Sequence, residues 1–280
     1  MGRAGGTGID VVMKETLFII KAGGNVLDDE HLLAQFLEDV AALPGRKILV
    51  HGGGKIASRI GAQMGLEPKY VDGRRITDDA TLQLVTMVYG GLLNKQLVAA
   101  LQVRHCNALG VTGADGNLMP AKRRPAGKID FGWAGDPDPA TVQTTSIQAL
   151  LEAGFCPVFA PLTHDGNGNM LNTNADTIAS VLAQALARFY TTKLLFCFEQ
   201  EGILEKTQEG QSQVVPVLTI EKNAALQAKG DLSDGILPKI DNAFAAIRAG
   251  AAIVWIGASE RLREFVQTDV VAGTLVHIEQ

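Results

Sequence analysis

Short unbroken apolar runs alternate with helical stripes along the whole chain, and this rhythm constrains its fold more than any other feature. Residues 17–20, 47–50, 108–111, 157–160, 194–198, 252–256 and 274–278 read as buried strands. Between them apolar residues recur at helical spacing: Leu32, Leu33, Phe36, Leu37 and Val40 in one stripe, Leu82, Val85, Val88, Leu92 and Leu93 in another. Ile178, Leu182 and Leu186 make a third stripe, and Phe244 with Ile247 a shorter one. Continuous apolar strands separated by helices predict an α/β protein with a largely parallel sheet between helices. Such sheets bind ligands beyond the carboxyl ends of their strands. Residues 113–139 break the rhythm, being rich in Gly, Pro and charge; hairpins or a surface excursion both fit. A division into two domains is expected near residue 185, although composition does not mark it.

Composition narrows the function classes. At 280 residues the chain holds one large or two modest domains. An ordinary apolar fraction excludes disorder, and no apolar run approaches the roughly 18 residues of a membrane-spanning helix. A net charge of −5 argues against a nucleic-acid surface. Cys106, Cys156 and Cys197 form no paired motif, so they are expected to be buried, reduced thiols of a cytoplasmic protein. Residues 1–12 read as a leader, with Met13 as the native start. Glycine is the outlier: 31 residues, well above the typical share of about 7%, and clustered. Glycine stands where a backbone turns sharply or a ligand approaches closely.

Five segments carry chemistry. Lys21-Ala22-Gly23-Gly24 follows the first strand and offers bare amides plus a point charge to a phosphate, though a tight turn beside a surface lysine fits equally. His51-Gly52-Gly53-Gly54-Lys55 opens a helix, where unpaired amides and the helix dipole favour an anion. His51 reads as a hydrogen-bonding residue, not a general base. Neither a Walker A loop nor a G-x-G-x-x-G spacing occurs. Gly73-Arg74-Arg75-Ile76-Thr77-Asp78 precedes a long helix that Thr77 or Asp78 would cap; its arginines either face solvent or hold a carboxylate through two hydrogen bonds. Asn172-Thr173-Asn174-Ala175-Asp176 supplies more short polar side chains than a cap requires, and its helix is expected to run to about Tyr190. Ser233-Asp234-Gly235-Ile236-Leu237-Pro238-Lys239 places a lysine in a first helical turn, where the dipole opposes it unless an anion binds there.

In this order the segments K-x-G-G, H-G-G-G, G-x-R-x-T, N-x-N-A-D and G-x-x-P-K resemble the acetylglutamate kinase branch of the amino acid kinase family, from about residue 17 to the C-terminus. The resemblance implies a three-layer α/β/α sandwich, with an N-lobe (13–185) holding an N-acyl-L-glutamate and a C-lobe (186–280) holding ATP. It implies phosphorylation of the substrate's γ-carboxylate in arginine biosynthesis. Lys21 and Lys239 match the two catalytic lysines, and Asp176 the aspartate that orients them. Gly23, Gly24, Gly53 and Gly54 would offer amides to the transferring phosphoryl, while Arg75 and Asn172 would hold the α-carboxylate. Glu199, Gly202 and Gly235 fall on the nucleotide side, and Mg²⁺ is expected on the ATP phosphates without dedicated protein ligands.

Three departures stand out. Arg74 replaces a usually apolar residue, and a second cation suits an acyl group ending in a carboxylate. N-succinyl-L-glutamate is therefore an alternative to N-acetyl-L-glutamate. Residues 196–203 (FCFEQEGI) replace an S/T-D-V-x-G-I/V pattern, with Glu199 at the aspartate position. Arginine-inhibited members of the family carry an additional N-terminal helix, whereas a glycine-rich leader and a short lead-in precede Lys21, so the resemblance implies no feedback inhibition by arginine. The helix over 81–101 carries more apolar surface than one sheet face requires; a fully buried core helix fits this, and the resemblance implies a two-fold homodimer contact through the same region. The alternatives are other amino acid kinases (carbamate, uridylate, aspartate or glutamate acceptors) and a non-catalytic nucleotide- or amino-acid-binding regulator. Retention of Lys21, Asp176 and Lys239 together speaks against the regulator.

Overall fold

A computed structural model describes residues 14–71, 73–207, 209–232, 235–268 and 272–278. The leader, Met13, Ser233 and Asp234 lie outside the described residues, and with them the expectation about arginine that rested on the N-terminus. All seven expected strands form, and together with a short edge strand they build one eight-stranded sheet. In chain order the strands are β1 (Thr16–Ala22), β2 (Arg46–His51), β3 (Ala108–Val111), β4 (Cys156–Phe159), β5 (Thr191–Phe198), β6 (Val217–Leu218), β7 (Ile253–Ala258) and β8 (Thr274–Val276). Their spatial order is β6-β8-β7-β5-β1-β2-β4-β3. Every neighbouring pair is parallel except β7 with β8. The edge strand β6 has only two residues and no long apolar run, which is why periodicity alone does not find it.

β1 shows how the sequence builds three layers. Successive side chains of a strand point to opposite faces. Leu17 and Ile19 accordingly join one core cluster, and Phe18 and Ile20 the other. The first cluster is covered by α6 (Ala175–Leu186) and α8 (Leu237–Arg248), through Ile178, Leu182, Ile240 and Phe244. The second is covered by α2 (Glu30–Ala42) and α4 (Asp79–Val103), through Phe36, Leu37, Val85, Leu97 and Leu101. The helices α1 (Gly24–Asp28), α3 (Gly54–Gln63), α5 (Thr144–Glu152), α7 (Ile220–Lys229) and α9 (Leu262–Gln267) complete the set used here. Asp29 caps α2 by accepting the N–H groups of His31 and Leu32 at 2.9 and 3.0 Å. Asp78, rather than Thr77, caps α4.

The structure corrects several expectations. α6 ends at Leu186, four residues short of Tyr190. α4 is 25 residues long and, with a mean hydropathy of 1.3 in its most apolar window, long and apolar enough to cross a membrane. A search for an unbroken apolar run misses it, because Asn94, Lys95 and Gln96 interrupt the pattern. Its face at Leu84, Val85, Val88, Leu93, Leu97 and Leu101 is buried in the core. Within α4, residues Thr86–Leu93 are π-helical, a widening that no sequence pattern announced. The irregular stretch 113–139 contains a hairpin, Ala121–Arg123 against Gly135–Pro137, and isolated bridges tie Gly132 to Thr77 and Ala134 to Asn172. Cys106, Cys156 and Cys197 are buried free thiols.

Candidate active site

The sheet turns back on itself at β1: the chain leaves it towards β2 on one side and returns beside it as β5. The carboxyl ends of these three strands therefore meet at a topological switch point, where open α/β sheets bind ligands. Lys21 stands there, opposite Val50 of β2 and Phe196 of β5. Its ammonium lies 2.8 Å from Asp176 Oδ1. Asp176 is in the first turn of α6, where a carboxylate favours the helix dipole, and Asn174 caps that helix through Thr177 N–H at 3.1 Å. Lys239, in the first turn of α8, reaches the same Oδ1 at 3.0 Å. One carboxylate oxygen thus joins ammonium groups from a strand and a helix, with all three side chains at most 13% exposed.

Electrostatics follow from this crowding. Burial favours protonation of Asp176, but the charges and hydrogen bonds of Lys21 and Lys239 outweigh it and hold the carboxyl well below its usual range. Burial pulls Lys239 down to about 8 against the opposing pull of Asp176, and the Lys21 charge adds to the lowering. The ammonium of Lys239 also lies over the rings of Phe196 and Phe198, at 5.1 and 5.5 Å from their centroids. The triad carries net charge +1 with both lysines protonated and is complementary to an anion.

Two glycine turns flank it. Gly23 N–H donates to Cys197 O at 2.8 Å, and a Cβ there would meet that oxygen at 3.1 Å, so the chain passes close over β5. Gly24 begins α1 and Gly54 begins α3. Gly53 has φ +145°, a conformation that strains any residue with a Cβ, and a Cβ on it would lie 2.4 Å from Leu93 Cδ1, which would have to shift. Lys21, Gly24, Gly53, Gly54, Arg74, Arg75, Asn172 and Asp176, eight of the thirteen candidate residues, line one cavity of about 340 Å³. Its other walls include Lys55, Tyr70, Tyr89, Arg124 and Phe131.

Arg75 Nη2 donates to Gly54 O at 2.9 Å and Ser58 Oγ at 2.8 Å, and also bonds Tyr70 Oη. Its guanidinium lies 4.8 Å from the Tyr70 ring centroid. The Asn172 amide donates to Thr77 Oγ1 at 2.9 Å, which ties the start of α6 to the arginine segment. Arg124, on the hairpin, pairs with Asp136. Five cations therefore face the cavity against the single carboxylate of Asp176. Burial raises the Tyr89 phenol to about 12, so it remains a neutral donor at working pH.

The remaining candidates stand apart. Lys239, a member of the triad, and Gly23, two residues after Lys21, do not line this cavity. Glu199 is exposed after β5, near enough for its charge to act on Lys239. Gly202 is buried against Thr274, and Gly235 is exposed ahead of α8. A second cavity of about 180 Å³ opens beside this segment, lined in part by Gln200, Ile203, Glu205, Asp231 and Ile236. Sequence reasoning missed Tyr70, Tyr89, Arg124 and Phe131, and it placed Lys55 at the end of the second glycine segment without giving it a role. The basic pair at 123–124 inside the irregular stretch was the one available signal for Arg124.

Two lysines converging on one aspartate at the switch point of a three-layer α/β/α sheet, between glycine turns, make a cationic site complementary to an anionic group. The chain belongs to the amino acid kinase family, whose profile matches residues 16–257. Within that family it is 48% identical over 252 residues to a protein of Phocaeicola vulgatus named acetylglutamate kinase, covering 90% of this chain and 97% of that one. A protein of the same name from Cytophaga hutchinsonii is 48% identical over 261 residues, covering 93% and 98%. Among solved structures, the N-acetylglutamate synthase of Neisseria gonorrhoeae with coenzyme A and N-acetyl-glutamate superposes with a TM-score of 0.78 at 23% identity, over 95% of this chain and 60% of that one. Carbamate kinase of Giardia lamblia bound to AMP-PNP gives 0.64 at 12% identity, over 96% and 99%. At those identities the two structures establish the shared fold. The resemblance carried by the five motifs is borne out.

Proposed function

We propose that the chain transfers the γ-phosphoryl group of ATP to the γ-carboxylate of an N-acyl-L-glutamate, yielding the acyl phosphate in arginine biosynthesis. The observation that carries this reading is the bridge from one Asp176 oxygen to both Lys21 and Lys239. Phosphoryl transfer needs in-line positioning and neutralised charge more than covalent chemistry. The acceptor carboxylate is ionised near neutral pH, so the site requires no general base. Lys21 approaches the moving group from the acceptor side and Lys239 from the nucleotide side, with Asp176 holding both. Amides of Gly23, Gly24, Gly53 and Gly54 supply further donors, and Arg75 with Asn172 takes the α-carboxylate.

On this reading residues 13–185 form the acceptor lobe and 186–280 the nucleotide lobe, with Glu199, Gly202 and Gly235 around the nucleotide beside the second cavity. Mg²⁺ supplies charge neutralisation to the ATP phosphates when bound. The Asp176 oxygen is already shared by two ammonium groups, which fits a metal carried by the nucleotide rather than by this carboxylate. A cytoplasmic homodimer completes the proposal: Met87 and Leu92 are 53% and 43% exposed on α4 and offer an apolar face to a second copy.

The acyl group is the finer question. An N-acetyl-L-glutamate brings two carboxylates, whereas an N-succinyl-L-glutamate brings three. Arg74 and Arg124 line the same cavity as Arg75, which favours testing the succinyl substrate beside the acetyl one. The test is ADP release with N-acetyl-L-glutamate, N-succinyl-L-glutamate, L-glutamate, L-aspartate, carbamate and UMP, with Lys239→Ala as control. Turnover of an N-acylglutamate that Lys239→Ala abolishes is expected. ATP binding without turnover of any acceptor would overturn the kinase reading in favour of a regulator. A selective loss of succinyl turnover in Arg74→Leu assigns Arg74 to the acyl tail, and an unchanged preference removes it from that role.

A further inference from the structure

His51 ends β2 immediately before the glycine triplet, fully buried, and the chemistry above makes no use of it. Its Nδ1 lies 2.7 Å from Gly52 O. A carbonyl oxygen only accepts, so Nδ1 carries the proton and Nε2 is left as an acceptor. Facing Nε2 at 3.3 Å is the side-chain amide of Asn94, the first residue after the π-helical stretch of α4. The same Asn94 amide donates to Val158 O of β4 at 2.8 Å, and Asn94 Oδ1 accepts from Lys95 Nζ at 3.0 Å. Each polar atom of His51 and Asn94 thus has a partner of the right kind in one tautomer. Burial also lowers the His51 pKa to about 4, so the ring is neutral at working pH.

The arrangement was given room. Gly110 of β3 lies under Asn94, and a Cβ there would come within 2.0 Å of Asn94 Oδ1. In the same helix Leu93, the residue before Asn94, and Tyr89, one π-helical turn before it, press on Gly53. π-helical turns recur at functional sites because they change which side chains face inward. Here the wider turn delivers Leu93 to the glycine loop and Asn94 to the histidine.

Gly52 C=O and Gly53 N–H belong to one planar trans peptide and point in opposite directions. Drawing the carbonyl back onto His51 therefore turns the Gly53 N–H away from the ring. Among the described residues that N–H has no acceptor in the protein, and Gly53 lines the cavity. We infer that His51 and Asn94 are positioning residues for phosphoryl transfer: the histidine fixes the Gly52–Gly53 peptide so that its amide faces the reacting anion, and the asparagine fixes the histidine. This inference rests on the kinase reading above, and it assigns to His51 no contact with substrate.

The test separates the two ring nitrogens. The amide of His51→Asn can occupy the Nδ1 position and keep the bond to Gly52 O. The amide of His51→Gln reaches the Nε2 position and keeps only the Asn94 side. Kinetics of both variants and of Asn94→Leu are measured on protein shown to be folded by circular dichroism and thermal melting. Loss of one preorganised amide lowers kcat by about 100-fold. We expect that loss in His51→Gln with the KM for ATP within about threefold of the parent, and recovery to within about fivefold in His51→Asn. Asn94→Leu falls between them. A merely structural role predicts equal melting losses in both histidine variants and equal kcat per folded enzyme, which would overturn the inference while leaving the kinase reading intact. Absence of N-acylglutamate turnover in the parent protein would sink both.

Discussion

Replacing Asp176 by Asn tests the centre of the site with almost no change in volume. Both ammonium groups touch the same oxygen, at 2.8 and 3.0 Å, so they lie no more than about 5.8 Å apart. Two unit charges about 5 Å apart repel by about 3 kcal/mol at the effective dielectric of about 20 that suits protein sites. Removing one partner of a buried ion pair costs roughly 3–5 kcal/mol, which agrees. Release of the Lys239 proton limits the penalty, since its pKa is already near 8 and each further unit is about 1.4 kcal/mol. A loss of about 3 kcal/mol in a chain of this size lowers Tm by on the order of 10 °C. A bound triphosphate restores the missing negative charge, so a non-hydrolysable ATP analogue should raise the Tm of the variant more than that of the parent. Scanning fluorimetry with and without the analogue reads this directly. In the ADP-release assay kcat should fall at least about 100-fold, since without the Asp176 carboxylate neither ammonium is held in place for the transferring group, while the KM for ATP should not rise. An unchanged Tm in the free protein together with kcat within about threefold of the parent would refute the reasoning.

Two further outcomes follow from the same geometry. Protonated Lys239 is the competent form, so kcat/KM, which reports the free enzyme, should fall as pH rises through about 8, and the limb in kcat should lie higher because bound phosphates favour the ammonium; a profile flat to about pH 9.5 would remove Lys239 from its role. Met87→Glu places a charge on the exposed apolar face of α4 and should shift sedimentation from dimer to monomer without touching the triad; a parent protein that already sediments as a monomer would end the dimer proposal.

Much of this protein is written locally. The alternation of Leu17 and Ile19 with Phe18 and Ile20 assigns β1 to a sheet covered on both faces, because side-chain direction in a strand follows from spacing alone. Glycine at 23, 24, 53 and 54, and lysine where a helix begins, read as turns suited to an anion for equally local reasons: backbone access and dipole sign. The placement of Lys239 against its own helix dipole was legible as a conflict. Its resolution by Asp176, 63 residues earlier, was legible only through family resemblance.

What tertiary structure alone decided is what meets across the sheet. Lys21 and Lys239 share one oxygen because strand order brings β5 back beside β1, and hydrogen bonding between distant strands leaves no trace in spacing. The π-helical turn, the Asn94 bond to His51 and the cleared space at Gly110 depend on how α4 lies on β3 and β4. Arg124, the fifth cation of the cavity, arrives the same way, on a hairpin whose stretch had no period to read. The sequence by itself determined the layers and the backbone turns, whose causes act within a few residues. Packing determined the charges that face one another, because only the folded sheet sets their distances.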